Sequence, residues 1–103
     1  MYNTIGLAMR ARKVTIGTEI TINGVRNSKV KLVLLASNAS KNTKKLVNDK
    51  CKTYNVDVII VDGDLMSNAI GKNNVKVLGI IDDGFRQLVL NQKRKWYKWP
   101  KKI

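Results

Sequence analysis

The chain has no histidine, a single cysteine, one proline and one phenylalanine, and only seven acidic residues against twenty basic ones. Without histidine it lacks the side chain that titrates near neutral pH and the commonest metal ligand. Cys51, standing alone, can build neither a disulfide framework nor a zinc site nor a Cys–His nucleophile pair. Asp62 with Asp64, or Asp82 with Asp83, could hold a magnesium ion, but turn and capping roles account for both pairs at lower cost. Gly79 and Gly84 do not belong to a phosphate loop, because the G-x-x-x-x-G-K-[ST] spacing is absent. These gaps argue against an enzyme, and neither a cofactor nor a resident metal is expected.

No apolar run approaches the roughly 18 residues of a membrane helix; stretches such as Val58–Val61 are strand-length. Arg10 and Arg12 are not followed by an apolar segment with a cleavage site, so no secretory signal is expected. A lone thiol fits a reducing compartment, and the expected location is the cytoplasm. The 103 residues suffice for one ordinary domain, and a hydrophobic fraction of 44%, just short of the usual globular share, predicts a packed core.

What the chain has in excess is positive charge: +13 overall, with a pI near 10.2. The excess is uneven. Residues 1–54 hold eleven bases and two acids, residues 55–90 three and five, and residues 91–103 six bases and no acid. Same-sign charge at this density repels itself in a compact fold, and a polyanion relieves that repulsion. Solvated lysines on a very soluble protein are the alternative, but the pI favours a nucleic-acid partner. No lysine-rich amphipathic helix suited to an acidic membrane surface is evident before residue 92.

Apolar spacing divides the chain into alternating elements. Ile5, Ala8, Met9 and Arg12 share one face of a helix over 2–12. Residues 14–22 read either way. Val14, Ile16, Ile20 and Ile22 alternate as in a strand, yet Gly17 interrupts them and Thr18 can cap a helix running to about Asn27. Leu32–Ala36 is a strand buried on both faces. A helix over 41–54 places Leu46, Val47, Cys51 and Tyr54 on one face, with Cys51 a small core residue. Val58–Val61 is a second buried strand. Asp64 then caps a short helix with Leu65, Met66, Ala69 and Ile70 inward, closed by Gly71. Val75–Ile81 is a third strand, and Asp82-Asp83 caps a last helix carrying Phe85, Leu88 and Val89. Strands alternating with helices at short intervals predict a layered α/β fold around a central sheet. Residues 92–103 mix six cations with Trp96, Tyr97 and Trp99 and show no apolar period, which predicts a basic aromatic tail without structure when free. Its rings could stack on bases while its cations hold phosphates, or the tail could serve only as a solubilising arm.

From Gly17 through Phe85 the residues resemble the L-seven-Ae and L-thirty-e group of kink-turn RNA-binding ribosomal proteins, above all its bacterial YlxQ-like branch. The likeness lies in five pieces in order: Gly17 opening the second helix; Lys31–Ala36 before a polar loop; Asn42-Thr43-Lys44-Lys45 with Cys51 on the same helix; Leu65 with Ala69-Ile70-Gly71-Lys72; and Ile80–Phe85. The resemblance implies a three-layer α/β/α sandwich with a four-stranded mixed central sheet over residues 1–91. It also implies a short strand near Val14 and a helix from about Thr18. In that family the start of the second helix and the loop before the last strand meet a bent internal loop with tandem sheared G·A pairs. A helix N-terminus offers free N–H groups and a positive dipole end to phosphates.

Carried onto this chain, the implied RNA-binding residues are Gly17, Thr18, Glu19 and Asn23, with Lys72, Asn73, Asn74 and Val75 from the loop; Arg26 and Lys29, from the basic clusters of the first half of the chain, are expected to attract phosphates beside them. The family pattern G-x-N-E-x-x-K appears here as Gly17-Thr18-Glu19-Ile20-Thr21-Ile22-Asn23. Glu19 can accept from a guanine edge, whereas Ile20 makes no hydrogen bond. Ser37-Asn38 replaces a common acidic pair, removing negative charge from the same edge. The expected partner is structured RNA, ribosomal or ribosome-associated, bound by a monomer. The alternative is a protein-interaction module that kept the fold and lost base reading.

Overall fold

Leu32–Ala36, an uninterrupted apolar run, forms β2 at the middle of the sheet, and all of its residues are buried. The computed structural model describes the backbone of residues 1–97 and the side chains of residues 1–92. In chain order the elements are α1 (Tyr2–Arg10), β1 (Val14–Ile16), α2 (Thr18–Arg26), β2, α3 (Lys41–Thr53), β3 (Asp57–Val61), α4 (Gly63–Ala69), β4 (Val77–Ile80) and α5 (Asp83–Tyr97). The four strands lie in the order β1-β4-β2-β3; β4 is antiparallel to both β1 and β2, and β2 is parallel to β3. Residues 14–22 thus resolve as a short strand followed by a helix. The fold is the mixed-sheet α/β/α sandwich that the resemblance implied.

Alternation along the strands makes two cores. Leu32, Leu34, Ala36, Ile59, Val61, Leu78 and Ile80 face Ile5 and Ala8 of α1, Met66 of α4 and Val89 of α5. Val33, Leu35 and Val77 face Ile22 and Val25 of α2, and Val47 and Cys51 of α3.

Some boundaries and faces differ from expectation. β3 is an edge strand rather than one buried on both faces, and Ile60 is 48% exposed. Leu46, Tyr54, Leu65 and Leu88 are exposed because Val47 with Cys51, Met66 with Ser67, and Val89 take the inward positions of their helices. α1 stops at Arg10, and Arg12 turns left-handed at φ 59°. α4 is capped by Asp62, not Asp64: its Oδ1 accepts from the N–H groups of Asp64 and Leu65, both at 3.0 Å. β4 starts later than residue 75 because the Val75 N–H donates to Ser67 Oγ rather than to a neighbouring strand, and the Ile81 N–H bond to the Lys13 carbonyl continues the β1–β4 pairing just past its end. α5 runs through the expected boundary at residue 92, so 92–97 are helical, while 98–103 lie outside the described residues.

The close seating of α2 positions the site. Gly24 faces Val30, and a Cβ on Gly24 would lie 2.5 Å from Val30 Cγ2. Gly79 of β4 lies under Thr21, and a Cβ there would collide with Thr15 Oγ1 and reach Thr21 and Val30 at 3.0 Å. The two threonine hydroxyls are hydrogen-bonded at 2.9 Å, tying α2 to β1.

Two outcomes test this packing. Gly24→Ala should destabilise the protein by about 1–3 kcal/mol in urea unfolding through overpacking, with part of the loss recovered when Val30→Ala is added. Cys51 is 1% exposed, and burial pushes its thiol from 9.0 up to about 11. The unfolded thiol therefore ionises first, so this contribution to stability is complete below about pH 9 and declines as pH rises towards 11. Parallel unfolding curves should show that decline in the wild type relative to Cys51→Ala.

Candidate nucleic-acid interface

β1, β2 and β3 run in one direction, so their C-terminal ends define one edge of the sheet, here the upper rim. α2, α3 and α4 each begin there, directly after those strands, and direct their positive ends at it. The rim lies at the carboxyl ends of parallel strands, where open α/β sheets generally hold ligands.

Gly17 joins β1 to α2 at φ 105° and ψ 155°, a region open essentially to glycine alone, and it is the N-cap residue. Its N–H donates to the Val77 carbonyl at 2.9 Å, which sets the start of α2 beside the loop that leads into β4. No side chain caps α2, so among the described residues the N–H groups of its first turn have no side-chain acceptor. Glu19 and Asn23 are exposed and Thr18 is half-buried. With Arg26, Ile22 and Leu46 of α3 they line a groove of about 450 Å³ between α2 and α3. Ile20, which cannot hydrogen-bond through its side chain, is 61% exposed beside Glu19.

The second part of the rim is the 71–76 loop. Gly71 and Asn74 turn left-handed at φ 70° and 59°. The Lys72 N–H donates to the Ser67 carbonyl at 3.0 Å and the Val75 N–H to Ser67 Oγ at 2.9 Å. Lys72, Asn73 and Asn74 are exposed, while Val75 is 8% exposed and packs into the core. Its side chain anchors the loop and does not present itself to a ligand, a correction to its expected contact role.

The third part is the loop of residues 37–40. The Ser37 N–H donates to the Val61 carbonyl at 2.8 Å, and Ser40 caps α3 by accepting from the Thr43 N–H at 3.1 Å. Lys41, Lys44 and Lys45 follow in the opening turns of α3, which has no acid in its first turn. Cations at the positive end of a helix oppose its dipole by about 0.3–1 kcal/mol each, an arrangement that an anion bound at the rim would relieve. These lysines form one of the basic clusters expected to attract phosphates, whereas Lys76, whose carbonyl accepts from the Ala36 N–H, was not among the expected contact residues. The signal was available: each strand that ends at the rim hands over to the N-terminus of the next helix.

The expected residues therefore do not all converge. Thr18, Glu19 and Asn23 line the groove, and Gly17, just before them, joins them through its bond to Val77 to the loop bearing Lys72, Asn73 and Asn74. Arg26 reaches the groove from the last turn of α2, about 12 Å along the helix axis from Thr18. Lys29 lies beyond the end of α2, at the opposite edge of the sheet. On the other face, Thr4 Oγ1 donates to Gln92 Oε1 at 3.0 Å, so the C-terminal part of α5 approaches the rim beside the start of α1.

A family model described as the ribosomal protein L7Ae/L30e/S12e/Gadd45 family matches residues 1–90. The chain is 48% identical over 84 residues to an RNA-binding protein YlxQ of Enterococcus faecium, covering 81% of each. It is 41% identical over 91 residues to an RNA-binding protein YlxQ of Bacillus subtilis, covering 87% of this chain and 91% of that one. Among solved structures, a Bacillus halodurans protein of unknown function superposes with a TM-score of 0.82 at 40% identity, over 86% of this chain and 92% of the other. A Giardia lamblia 15.5kD RNA binding protein superposes at 0.77 with 16% identity, over 87% and 78% of the two chains, a likeness of fold alone.

The hinge-free junction at Gly17 is directly testable. Gly17→Ala should lower stability by about 1–3 kcal/mol, because its backbone angles disfavour any side chain. Amide exchange should then speed up in both the first turn of α2 and the 72–77 segment; a change confined to α2 would separate the two halves.

Proposed function

Because the chain belongs to the ribosomal protein L7Ae/L30e/S12e/Gadd45 family, we propose that it is an RNA-binding protein whose upper rim recognises a kink-turn or similarly bent internal loop. The observation that carries this reading is the Gly17 N–H bond to Val77, which sets an uncapped helix N-terminus against the exposed Lys72-Asn73-Asn74 loop. Phosphates meet free N–H groups and lysines there, and exposed polar side chains stand where a bend opens base edges. The two YlxQ relatives named above are RNA-binding proteins.

In this proposal Glu19 accepts hydrogen bonds from a guanine N1–H or N2–H₂, and Thr18 and Asn23 supply neighbouring polar contacts. Lys72, Asn73 and Asn74 hold the other side of the bend, with the α3 lysines along the backbone. Ile20 replaces a hydrogen-bonding contact with an apolar one. The protein acts as a monomer in the cytoplasm, on ribosomal or ribosome-associated RNA.

Ile20 also favours a second reading, a protein-interaction module of the same fold, since an isoleucine 61% exposed in the first turn of α2 offers a small apolar contact. Stoichiometric recovery of one protein after nuclease treatment would support that module; complete loss along with the RNA would remove it.

Fluorescence titration should give one-to-one binding to a kink-turn RNA, with log affinity falling by about 0.7–0.9 per phosphate contact for each unit of log salt. Glu19→Ala should weaken kink-turn binding by about 1–3 kcal/mol and leave plain duplex binding unchanged. Equal affinity of the wild type for kink-turn and duplex at moderate salt would defeat the proposal.

A further inference from the structure

The edge opposite the rim, where β1, β2 and β3 begin, carries a second concentration of cations. Arg10 ends α1 and Arg12 and Lys13 follow it, while Arg26 ends α2 and Lys29 and Lys31 follow it; no acid falls within 10–13 or 26–31. The fold brings these two segments together. The Ile81 N–H donates to the Lys13 carbonyl at 2.9 Å and the Lys31 N–H to the Ile80 carbonyl at 2.7 Å. Lys13 and Lys31 therefore flank the end of β4, about two strand spacings or 10 Å apart, and both are exposed.

Helix C-termini favour cations, and Arg10, Arg26, Lys50 and Lys52 in the last turns of α1, α2 and α3 are accounted for in that way. Arg12, Lys13, Lys29 and Lys31 lie past those turns, so the dipole alone does not place them. The acids of this edge are partly engaged. Asp82 Oδ2 accepts from the Phe85 N–H at 3.0 Å, and Asp57 lies 3.8 Å from Arg86. Next to Lys31 is a recess of about 270 Å³ whose lining includes Ser28, Tyr54, Asn55 and Arg86, with Asp83 as its one carboxylate set against the cations Lys31 and Arg86. Tyr54 is 45% exposed there, although its position on α3 suggested a core role. Cations bordering an open aromatic ring and amide groups suit a single-stranded or frayed nucleic acid, whose phosphates meet the charges while a base stacks.

We propose that this lower edge is a second RNA-binding surface, holding the backbone of an RNA segment other than the one at the upper rim and stacking one of its bases on Tyr54. It rests on RNA being the partner, as proposed above, but not on any residue of the rim. The protein then bridges two RNA segments across its 33 × 29 × 25 Å body.

The test uses the full chain, a donor-labelled kink-turn RNA and an acceptor-labelled single-stranded RNA with no kink-turn. The wild type should bring the two together, giving energy transfer. Arg12→Gln, Lys13→Gln and Lys31→Gln, combined, should abolish that transfer and lower the salt slope for the single strand by about 2, with kink-turn affinity and unfolding midpoint unchanged. Tyr54→Ala should weaken single-strand binding at least fivefold without changing its salt slope. Energy transfer and salt slope equal to wild type in the combined variant would overturn the second surface while leaving kink-turn recognition intact. Loss of kink-turn discrimination in the wild type, with single-strand binding still removed by the combined variant, would overturn the rim and leave the lower edge standing. A lowered unfolding midpoint with unchanged RNA binding would reduce these cations to helix stabilisers. Displacement of the single strand by polyglutamate as readily as by RNA would assign the edge to an acidic protein instead.

Discussion

The upper rim depends on how closely α2 lies against β4. Side chains are missing at the two points of nearest approach, Gly24 and Gly79, and Val30 fills the space between them. The Thr15–Thr21 hydroxyl bond then holds the helix to the first strand. Seated this closely, the first turn of α2 stays beside the segment that begins β4, to which the Gly17 N–H bond to Val77 joins it. Packing at the centre of the molecule thus determines which groups are neighbours at its edge. A residue as remote from solvent as Gly79 is for this reason part of the site's construction without belonging to its surface.

Charge is organised by the same topology. Strands of one direction place three helix N-termini together at one edge and three helix C-termini together at the other. At the lower edge the last-turn cations agree with the helix dipoles; at the upper edge the lysines that open α3 oppose theirs. Asp62 is engaged in capping α4, which leaves Glu19 as an exposed carboxylate at the mouth of the groove. The +13 excess is therefore neither spread evenly nor gathered in one patch. It is split between two ends, one where helix fields and lysines add and one where they offset each other.

Much of this architecture was legible in the sequence because it is governed by local signals. The continuous run Leu32–Ala36, the glycine at position 71 and the acid at 82 each specify an element or its end with little help from distant residues. Residues 14–22 were undecidable locally, since β-branched residues favoured a strand while Gly17 and Thr18 favoured a helix start. Only the pairing of Val14–Ile16 with β4 and the burial of Ile22 and Val25 resolve them. Faces were less legible than elements. Neighbouring apolar residues such as Leu65 and Met66, or Leu46 and Val47, are separated by one step of helix rotation, and the packing partner decides which goes inward. Val75 was read as a contact because its loop lies at the rim, but the bond of its N–H to Ser67 turns its side chain inward. Lys29 was expected at the site as one of a basic cluster that attracts phosphates, although α2 carries Glu19 and Lys29, ten residues apart, to opposite edges of the sheet.

Each segment of the rim is fastened to the sheet by a main-chain bond: Gly17 to Val77, Ser37 to Val61, Ala36 to Lys76, with Ser67 holding the loop from below. A mould fastened at so many points has no jaw to close. Under the proposed function the nucleic acid is then the pliable member of the pair, and the entropy of bending is lost by the ligand rather than by the protein. Cellular conditions that fold the RNA beforehand, above all divalent cations in solution, would consequently govern occupancy as strongly as any change in the protein's own amount.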